Sequence, residues 1–157
     1  MEDIKKIIDY LSDPLPAIRT SAVQESGKQK IREAFDKIIY LLENDESPLV
    51  RDNAAFALGE LGDKRAVPFL IKALKDPDEW VRKSATKALG ILKSKEAFDA
   101  IAECLNDSSP SVRRTAARSL AQLGDRRAIK LIEPLLSDEN VLVKKYAKDA
   151  IGILEKC

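Results

Sequence analysis

The sequence contains no histidine among its 157 residues, and it has only two cysteines, Cys104 and Cys157. Without histidine it can form neither a Ser-His-Asp nor a Cys-His catalytic arrangement, nor a zinc site with an imidazole ligand. The two cysteines follow no spacing typical of a metal or redox site. No Walker A or dinucleotide-binding glycine pattern occurs either. We therefore expect no enzyme activity, no cofactor and no metal site.

The chain also lacks long apolar runs and a strong excess of one charge. No run approaches the ~18 apolar residues of a membrane-spanning helix, and the polar start MEDIKK is unlike a secretory signal. The net charge is only +1, so the overall balance does not point to a nucleic acid or a membrane. Cys104 falls at an apolar helical position and is predicted to be buried, whereas Cys157 is predicted to be exposed. These features favour a cytoplasmic protein with reduced thiols.

The sequence does contain a pattern that recurs every 31 or 32 residues. An aliphatic residue followed by a basic one defines it, as Ile18-Arg19, Val50-Arg51, Val81-Arg82, Val112-Arg113 and Val143-Lys144. An acid stands six residues before each basic residue, at Asp13, Asp45, Asp76, Asp107 and Asp138. An alanine stands three residues after it, at Ala22, Ala54, Ala85, Ala116 and Ala147. A small residue stands eight after it, at Gly27, Gly59, Gly90, Ala121 and Gly152.

A period of about 31 residues with several fixed positions is typical of a repeat solenoid. Apolar residues within each unit recur at helical spacing, and no strand-like alternation appears, so helix should far exceed the usual third of a protein. We predict an all-α protein, an α-α superhelix of five helix pairs forming one domain over residues 1–157. The predicted repeats span residues 1–30, 31–62, 63–93, 94–124 and 125–157.

Local signals refine this prediction. Asp76 is expected to cap a helix that begins at Pro77, with Glu79 completing the cap. Pro134 should kink or end the helix that contains it. The first repeat carries polar residues where other repeats are apolar, which predicts a solvent-facing end formed by Gln24, Glu25, Ser26 and Gln29. The last repeat is expected to lack such a cap, because Ile151, Ile153 and Leu154 continue the apolar pattern. Weak self-association through this C-terminal repeat is therefore predicted.

The segments VRDNAAFALGELGD, VRKSATKALGILKS and VRRTAARSLAQLGD, each following a turn aspartate, resemble the HEAT repeat. Their subtype looks like the PBS (bilin) lyase HEAT-like repeat, and the resemblance covers essentially the whole chain. It implies a ladder of hydrogen bonds between adjacent repeats. The matching residues are Asp13, Asp45, Asp76, Asp107 and Asp138 with Arg19, Arg51, Arg82, Arg113 and Lys144. We interpret these residues as structural.

The resemblance also implies that the second helix of each repeat lines the concave side of the stack. On these helices, the positions one and five residues after the basic residue point away from the alanine-rich core side. Five cations at those positions form a basic stripe, consisting of Lys83, Lys87, Arg114, Arg118 and Lys145. Phe56 lies beside the stripe and is a candidate apolar anchor. Trp80 is expected to pack over its own turn.

Three functions remain open on this basis. The first is a non-catalytic scaffold or adaptor that binds another protein or an acidic peptide on the concave face, through Phe56 and the basic stripe. The second is a protein that binds nucleic acid or another phosphate polymer through the basic stripe of repeats three to five. The third is an accessory protein related to bilin lyases. The charged face could also be an ordinary solvated surface.

Overall fold

The computed structural model describes residues 3–157, so Met1 and Glu2, with which the first predicted repeat begins, lie outside it. About 78% of the chain is helical, and residues 3–157 contain no strand. The ten helices are α1 (Ile4–Tyr10), α2 (Pro16–Lys28), α3 (Phe35–Asn44), α4 (Pro48–Leu61), α5 (Val67–Ala73), α6 (Glu79–Ile91), α7 (Phe98–Glu103), α8 (Pro110–Leu123), α9 (Ala128–Ile132) and α10 (Val141–Glu155). The prediction of an all-α superhelix of five helix pairs is confirmed.

Each pair consists of a shorter first helix, here called helix A, and a longer second helix, helix B. The B helices are therefore α2, α4, α6, α8 and α10. Short 3-10 turns at Arg32–Ala34, Lys64–Ala66 and Lys95–Ala97 lead into helix A of the middle repeats. In the last repeat, α9 ends at Ile132 and a 3-10 turn covers Glu133–Ser137, so the predicted effect of Pro134 is confirmed. The division into repeats at residues 30, 62, 93 and 124 stays a prediction.

The expected cap of α6 is wrong by two residues. Helix α6 begins at Glu79, and the Asp78 carboxylate accepts hydrogen bonds from the main-chain N–H groups of Trp80 and Val81. The Asp76 carboxylate instead accepts from the N–H of Asp78, at 2.9 Å, and so closes the turn before the helix. Arg51 of the preceding repeat also donates to the Asp76 carboxylate.

The B helices pack very closely on one another because small residues lie between them. A Cβ atom added to Gly27 or Gly59 would lie 3.1 Å from the Cα of Ala57 or Ala88, respectively, in the next repeat. Helix backbones can approach this closely only where the side chain is absent. The core is continuous along the stack, and it includes the side chains predicted to be buried at Phe35, Phe98 and Cys104. Cys157 is exposed, as predicted.

The N-terminal end differs in part from the expectation. Ser26 is fully buried, and its hydroxyl donates to the main-chain carbonyl of Ala22 at 2.7 Å. Gln24 reaches the second repeat, where its amide donates to Asn53 Oδ1 at 2.8 Å. Ser26 is therefore not part of a solvent-facing end, whereas Gln24 is exposed, as expected, although it also bonds to the second repeat. Glu25 accepts a hydrogen bond from Gln29.

The C-terminal repeat carries a polar end residue that the sequence interpretation missed. Four residues at equivalent positions of the B helices are fully buried, namely Val23, Ala55, Thr86 and Ala117. The fifth is Lys148, which is exposed. The expectation that this repeat has no polar cap is wrong at this position. Leu154 is buried within its own repeat, whereas Ile153 is exposed.

Candidate partner-binding face

Arginine side chains connect consecutive repeats. Four of them bond to the turn aspartate of the next repeat, in the pairs Arg19–Asp45, Arg51–Asp76, Arg82–Asp107 and Arg113–Asp138. In each pair, the arginine Nε and Nη2 donate to the two carboxylate oxygens at 2.7 to 3.2 Å. The Nη1 atom donates to the main-chain carbonyl of the arginine's own turn aspartate at 2.8 to 2.9 Å. This bidentate geometry fixes the position of one repeat relative to the next.

The outer members of the predicted ladder behave differently. The Asp13 carboxylate accepts from the N–H of Leu15 at 2.8 Å, and Lys144 is exposed. Within residues 3–157, neither residue forms an ion pair. The ladder in the described part of the chain therefore consists of four arginine–aspartate pairs.

Two ladder aspartates have a lowered pKa. At Asp45, burial raises the pKa, but the hydrogen bonds from Arg19 and from the N–H of Ser47 outweigh this effect, and the net pKa falls. At Asp138, the hydrogen bond from Arg113 is the main cause of the lowered pKa. Both carboxylates therefore remain charged at neutral pH and bonded to their arginines. The two carboxylates and their arginines are therefore already bonded to each other within the stack.

The basic stripe lies on α6, α8 and α10, and three of its cations lie over aromatic rings. Lys83 Nζ is 5.1 Å from the centre of the Trp80 ring, and Lys87 Nζ is 4.9 Å from that of Phe56 in the preceding repeat. The Arg114 guanidinium lies 5.7 Å from the ring of Tyr146 in the following repeat. Such contacts are attractive and orient the cations without neutralising their charge.

None of the five stripe cations lies within 4.0 Å of a carboxylate in residues 3–157. On the A helices and in the turns next to them, by contrast, cations do have acidic partners. These pairs are Lys72–Glu43, Lys75–Glu103, Arg65–Asp63 and Arg127–Asp125. The positive charge of the stripe is therefore available to an acidic ligand, whereas that of the paired cations is locally balanced.

Exposed apolar side chains border the stripe on the B helices. Leu49, Trp80 and Leu142 occupy equivalent positions near the starts of α4, α6 and α10 and are 56%, 52% and 45% exposed. Ile91 and Ile153 occupy equivalent positions near the ends of α6 and α10 and are also exposed. Helical spacing places both sets on the same side as the cations. We call the basic stripe, Phe56 and these five apolar residues the helix-B face.

The two aromatic residues singled out from the sequence, Phe56 and Trp80, differ from their expected exposure. Phe56 is only half-buried and lies beneath Lys87, so it is not the most open anchor. Trp80 is more than half exposed, although it was expected to pack over its own turn. Equivalent positions contain exposed leucines at Leu49 and Leu142, and this shared position was the sequence signal that could have identified the apolar border.

Two acidic residues limit the basic stripe. Asp52 occupies the stripe position of the second repeat, where its pKa is raised by burial and its carboxylate accepts a hydrogen bond from Ser84. Asp149 occupies the other stripe position, five residues after Lys144 of the fifth repeat, and lines a hollow of about 260 Å³ between α8 and α10. The other lining residues are Arg118, Ala121, Lys145, Tyr146, Ala150 and Ile153. The positive region is thus confined to repeats three to five.

Groups that could support chemistry are sparse in the described chain. Burial raises the pKa of the Cys104 thiol, which lies 3.8 Å from the Thr86 hydroxyl, so its nucleophilic thiolate is disfavoured. Residues 3–157 contain no cluster of three or more acidic or cysteine side chains placed to hold a metal ion. No helix in this part of the chain is long and apolar enough to cross a membrane.

Comparison with known proteins relates the chain to bilin lyase subunits. It is 53% identical over 53 residues to phycocyanobilin lyase subunit alpha of Microchaete diplosiphon, a match that covers 29% of this chain and 18% of the relative. It superimposes with a TM-score of 0.87 and 30% identity on a chain from the complex of CpcE and CpcF of phycocyanin lyase from Nostoc sp. PCC7120. That superposition covers 100% of this chain but 66% of the lyase chain.

A designed armadillo repeat protein in complex with the peptide (KR)4 superimposes with a TM-score of 0.76 over 96% of this chain and 81% of the designed one. At 22% identity, this likeness shows the fold alone. The resemblance to PBS lyase HEAT-like repeats is confirmed by the lyase matches. The family model for HEAT repeats matches residues 35–110 and 98–156, and the chain therefore belongs to the HEAT-repeat family.

Proposed function

We propose that this protein is a non-catalytic scaffold or adaptor that binds another protein through its helix-B face. The observation that carries the proposal is the combination of five cations that have no carboxylate within 4.0 Å among residues 3–157 with a border of exposed apolar side chains. Charged and apolar groups together are typical of a protein-binding surface. Phe56 contributes as a support for Lys87. A cytoplasmic location is part of the proposal, and the two unpaired cysteines agree with a reducing compartment.

A capture experiment with matched variants tests this function. The test variant is Lys83→Glu/Arg114→Glu/Lys145→Glu, and the control is Lys64→Glu/Lys95→Glu/Lys130→Glu, in which three exposed cations outside the B helices are reversed. Both variants have the same net charge. Wild type and control should capture the same proteins from an extract of the source cell, and the test variant should lose them. Equal capture by all three would contradict the proposal.

Nucleic-acid binding through the basic stripe is the first alternative, and salt dependence distinguishes it. Binding to a phosphate backbone weakens steeply with salt, because each neutralised phosphate releases counterions. Binding that depends in part on Leu49, Trp80 and Leu142 is expected to weaken less. Titration with a single-stranded oligonucleotide at two salt concentrations separates the two functions.

An accessory role related to bilin lyases is the second alternative, and the lyase matches support it. The matched proteins are named as subunits or as a complex, which also agrees with a protein partner. Titration with phycocyanobilin tests this role. A shifted absorption band that saturates at one chromophore per chain would favour it, and an unchanged spectrum would argue against it.

A further inference from the structure

One row of the helix-B face carries a cation on each of three consecutive B helices. Lys83 on α6, Arg114 on α8 and Lys145 on α10 occupy equivalent positions, so the row runs across the helices. We infer that this row binds an extended acidic segment of a partner protein, whose apolar side chains contact Trp80 and Leu142. This inference rests on the proposed function and specifies the chemistry of the partner.

The charge of the row favours an acidic occupant. Two of its three cations already lie over aromatic rings, Lys83 over Trp80 and Arg114 over Tyr146, so less side-chain entropy is lost when a carboxylate binds. No carboxylate of residues 3–157 approaches any of the three within 4.0 Å. A partner carboxylate would therefore meet cations that are oriented and still charged.

Apolar residues beside the row favour a segment that also has apolar side chains. Trp80 and Leu142 each lie three residues before a cation of the row, on the same side of the helix. Both are about half exposed. A purely acidic ligand would leave these side chains in water, whereas a segment with both acidic and apolar side chains would cover both kinds of group. The hollow beside Arg118, Lys145 and Ile153 extends the same combination to the end of the face.

The spacing of the helices sets the spacing of the acidic residues. Packed helices lie about 8–10 Å apart, and an extended segment in the polyproline II conformation has three residues per turn with a rise of about 3.1 Å per residue. Three residues of such a segment therefore span one repeat, and every third side chain lies on the same side. The expected segment has a carboxylate at every third position, facing Lys83, Arg114 and Lys145 in turn.

A nucleic acid fits the same surface less well. Single strands bind by stacking bases on open aromatic faces, but Lys83 and Arg114 occupy faces of Trp80 and Tyr146. The aliphatic border at Leu142 and Ile153 offers a base no stacking partner.

The intrinsic fluorescence of Trp80 provides a direct test, because it is the only tryptophan of the chain and lies on the face itself. The probe is a twelve-residue peptide of four Glu-Leu-Gly units, with Lys-Leu-Gly and Glu-Ser-Gly peptides as controls. The Glu-Leu-Gly peptide should shift the Trp80 emission in a saturable manner, with a Kd confirmed by calorimetry. The lysine peptide should not bind, and the serine peptide should bind about 10-fold more weakly for lack of apolar contact.

Protein variants localise the binding. Lys83→Glu/Arg114→Glu/Lys145→Glu should weaken binding about 10- to 100-fold, since three attractions become repulsions, while Lys64→Glu/Lys95→Glu/Lys130→Glu should bind like wild type. Circular dichroism verifies that both variants are folded. If the Lys83→Glu/Arg114→Glu/Lys145→Glu variant is not folded, the single substitution Lys145→Gln should still weaken binding several-fold. The inference is overturned if no peptide binds, if the lysine peptide binds equally, or if oligo(rA) binds more tightly than the glutamate peptide. Should the peptides fail while capture of proteins still depends on the helix-B face, the proposed function stands and only this inference falls.

Discussion

Arg51 and Asp76 join the second repeat to the third through two parallel hydrogen bonds, of 2.9 and 3.2 Å, while Arg51 also bonds to the carbonyl of Asp45 in its own turn. One side chain therefore fixes both the local turn and the neighbouring repeat. In a solenoid, stability is nearly a sum of repeat and interface contributions. Each such pair should consequently influence the cooperativity of unfolding as well as its free energy.

Removal of one ladder arginine should destabilise the protein strongly. In Arg82→Ala, the partly buried Asp107 carboxylate loses both of its arginine bonds, and the free energy of unfolding should fall by about 2–4 kcal/mol. Lys75→Ala is the control, because its pair with Glu103 is exposed and should contribute little to the free energy of unfolding. Urea unfolding followed by circular dichroism measures both changes. Equal effects of the two substitutions would show that the ladder is not a major source of stability.

The lowered pKa of Asp138 predicts how one interface responds to acid. A carboxyl group whose folded-state pKa is lowered contributes stability above its unfolded pKa of about 3.9, and this contribution is lost as the pH falls through the folded-state pKa. The free-energy difference between wild type and Asp138→Asn should therefore be larger at pH 7 than at pH 3. Urea titrations of both proteins at the two pH values provide the measurement. A free-energy difference that does not depend on pH would contradict the lowered pKa of Asp138 in the folded protein.

Two glycines at equivalent positions should respond in opposite directions to alanine. A Cβ at Gly90 would lie 2.8 Å from the Cβ of Ser119, so Gly90→Ala should cost about 1–3 kcal/mol through overpacking between α6 and α8. At Gly152 no atom lies within 4 Å of the added Cβ, and Gly152→Ala should stabilise α10 by up to about 1 kcal/mol. Thermal unfolding of the two variants compares them directly. Similar destabilisation at both sites would refute the account of helix packing.

The sequence predicted the parts of this structure that depend on periodicity. Helical spacing and the repeated Val-Arg pair were enough to locate the helix pairs, the buried Phe35 and the effect of Pro134. It failed where a residue's surroundings come from another repeat. The cap of α6 is Asp78, whereas the Asp76 carboxylate closes the preceding turn and binds Arg51, an arginine 25 residues earlier in the chain. Trp80 is 52% exposed, although the sequence interpretation placed it over its own turn.

The interpretation of the candidate site was limited in the same way. The basic stripe was visible from spacing alone, but whether its cations have acidic partners depends on side chains from adjacent repeats. Lys145 has no acidic partner within the described residues, whereas Lys75 pairs with Glu103, 28 residues further along the chain. The local sequence around either lysine does not show this difference. The partner-binding role of the stripe stays a prediction.

Self-association through the C-terminal repeat also stays a prediction, and the structure shows how to test it. Leu136 is 44% exposed, whereas its equivalents Leu74 and Leu105 are 4% and 3% exposed because a following repeat covers them. Lys148, however, stands where the other B helices have a fully buried residue, and its charge opposes the approach of a second copy.

Lys148→Ala should therefore increase self-association, because it restores a small residue at the position that packs against a following repeat elsewhere in the stack. Ile153→Lys should decrease it, because it places a charge on the exposed apolar surface of α10. Sedimentation velocity over a range of concentrations compares the two variants with wild type. We expect the weight-average mass to rise in the order Ile153→Lys, wild type, Lys148→Ala. If all three sediment as monomers at high concentration, this repeat does not provide a self-association surface, and the exposed Leu136 must be explained by another partner or by solvent.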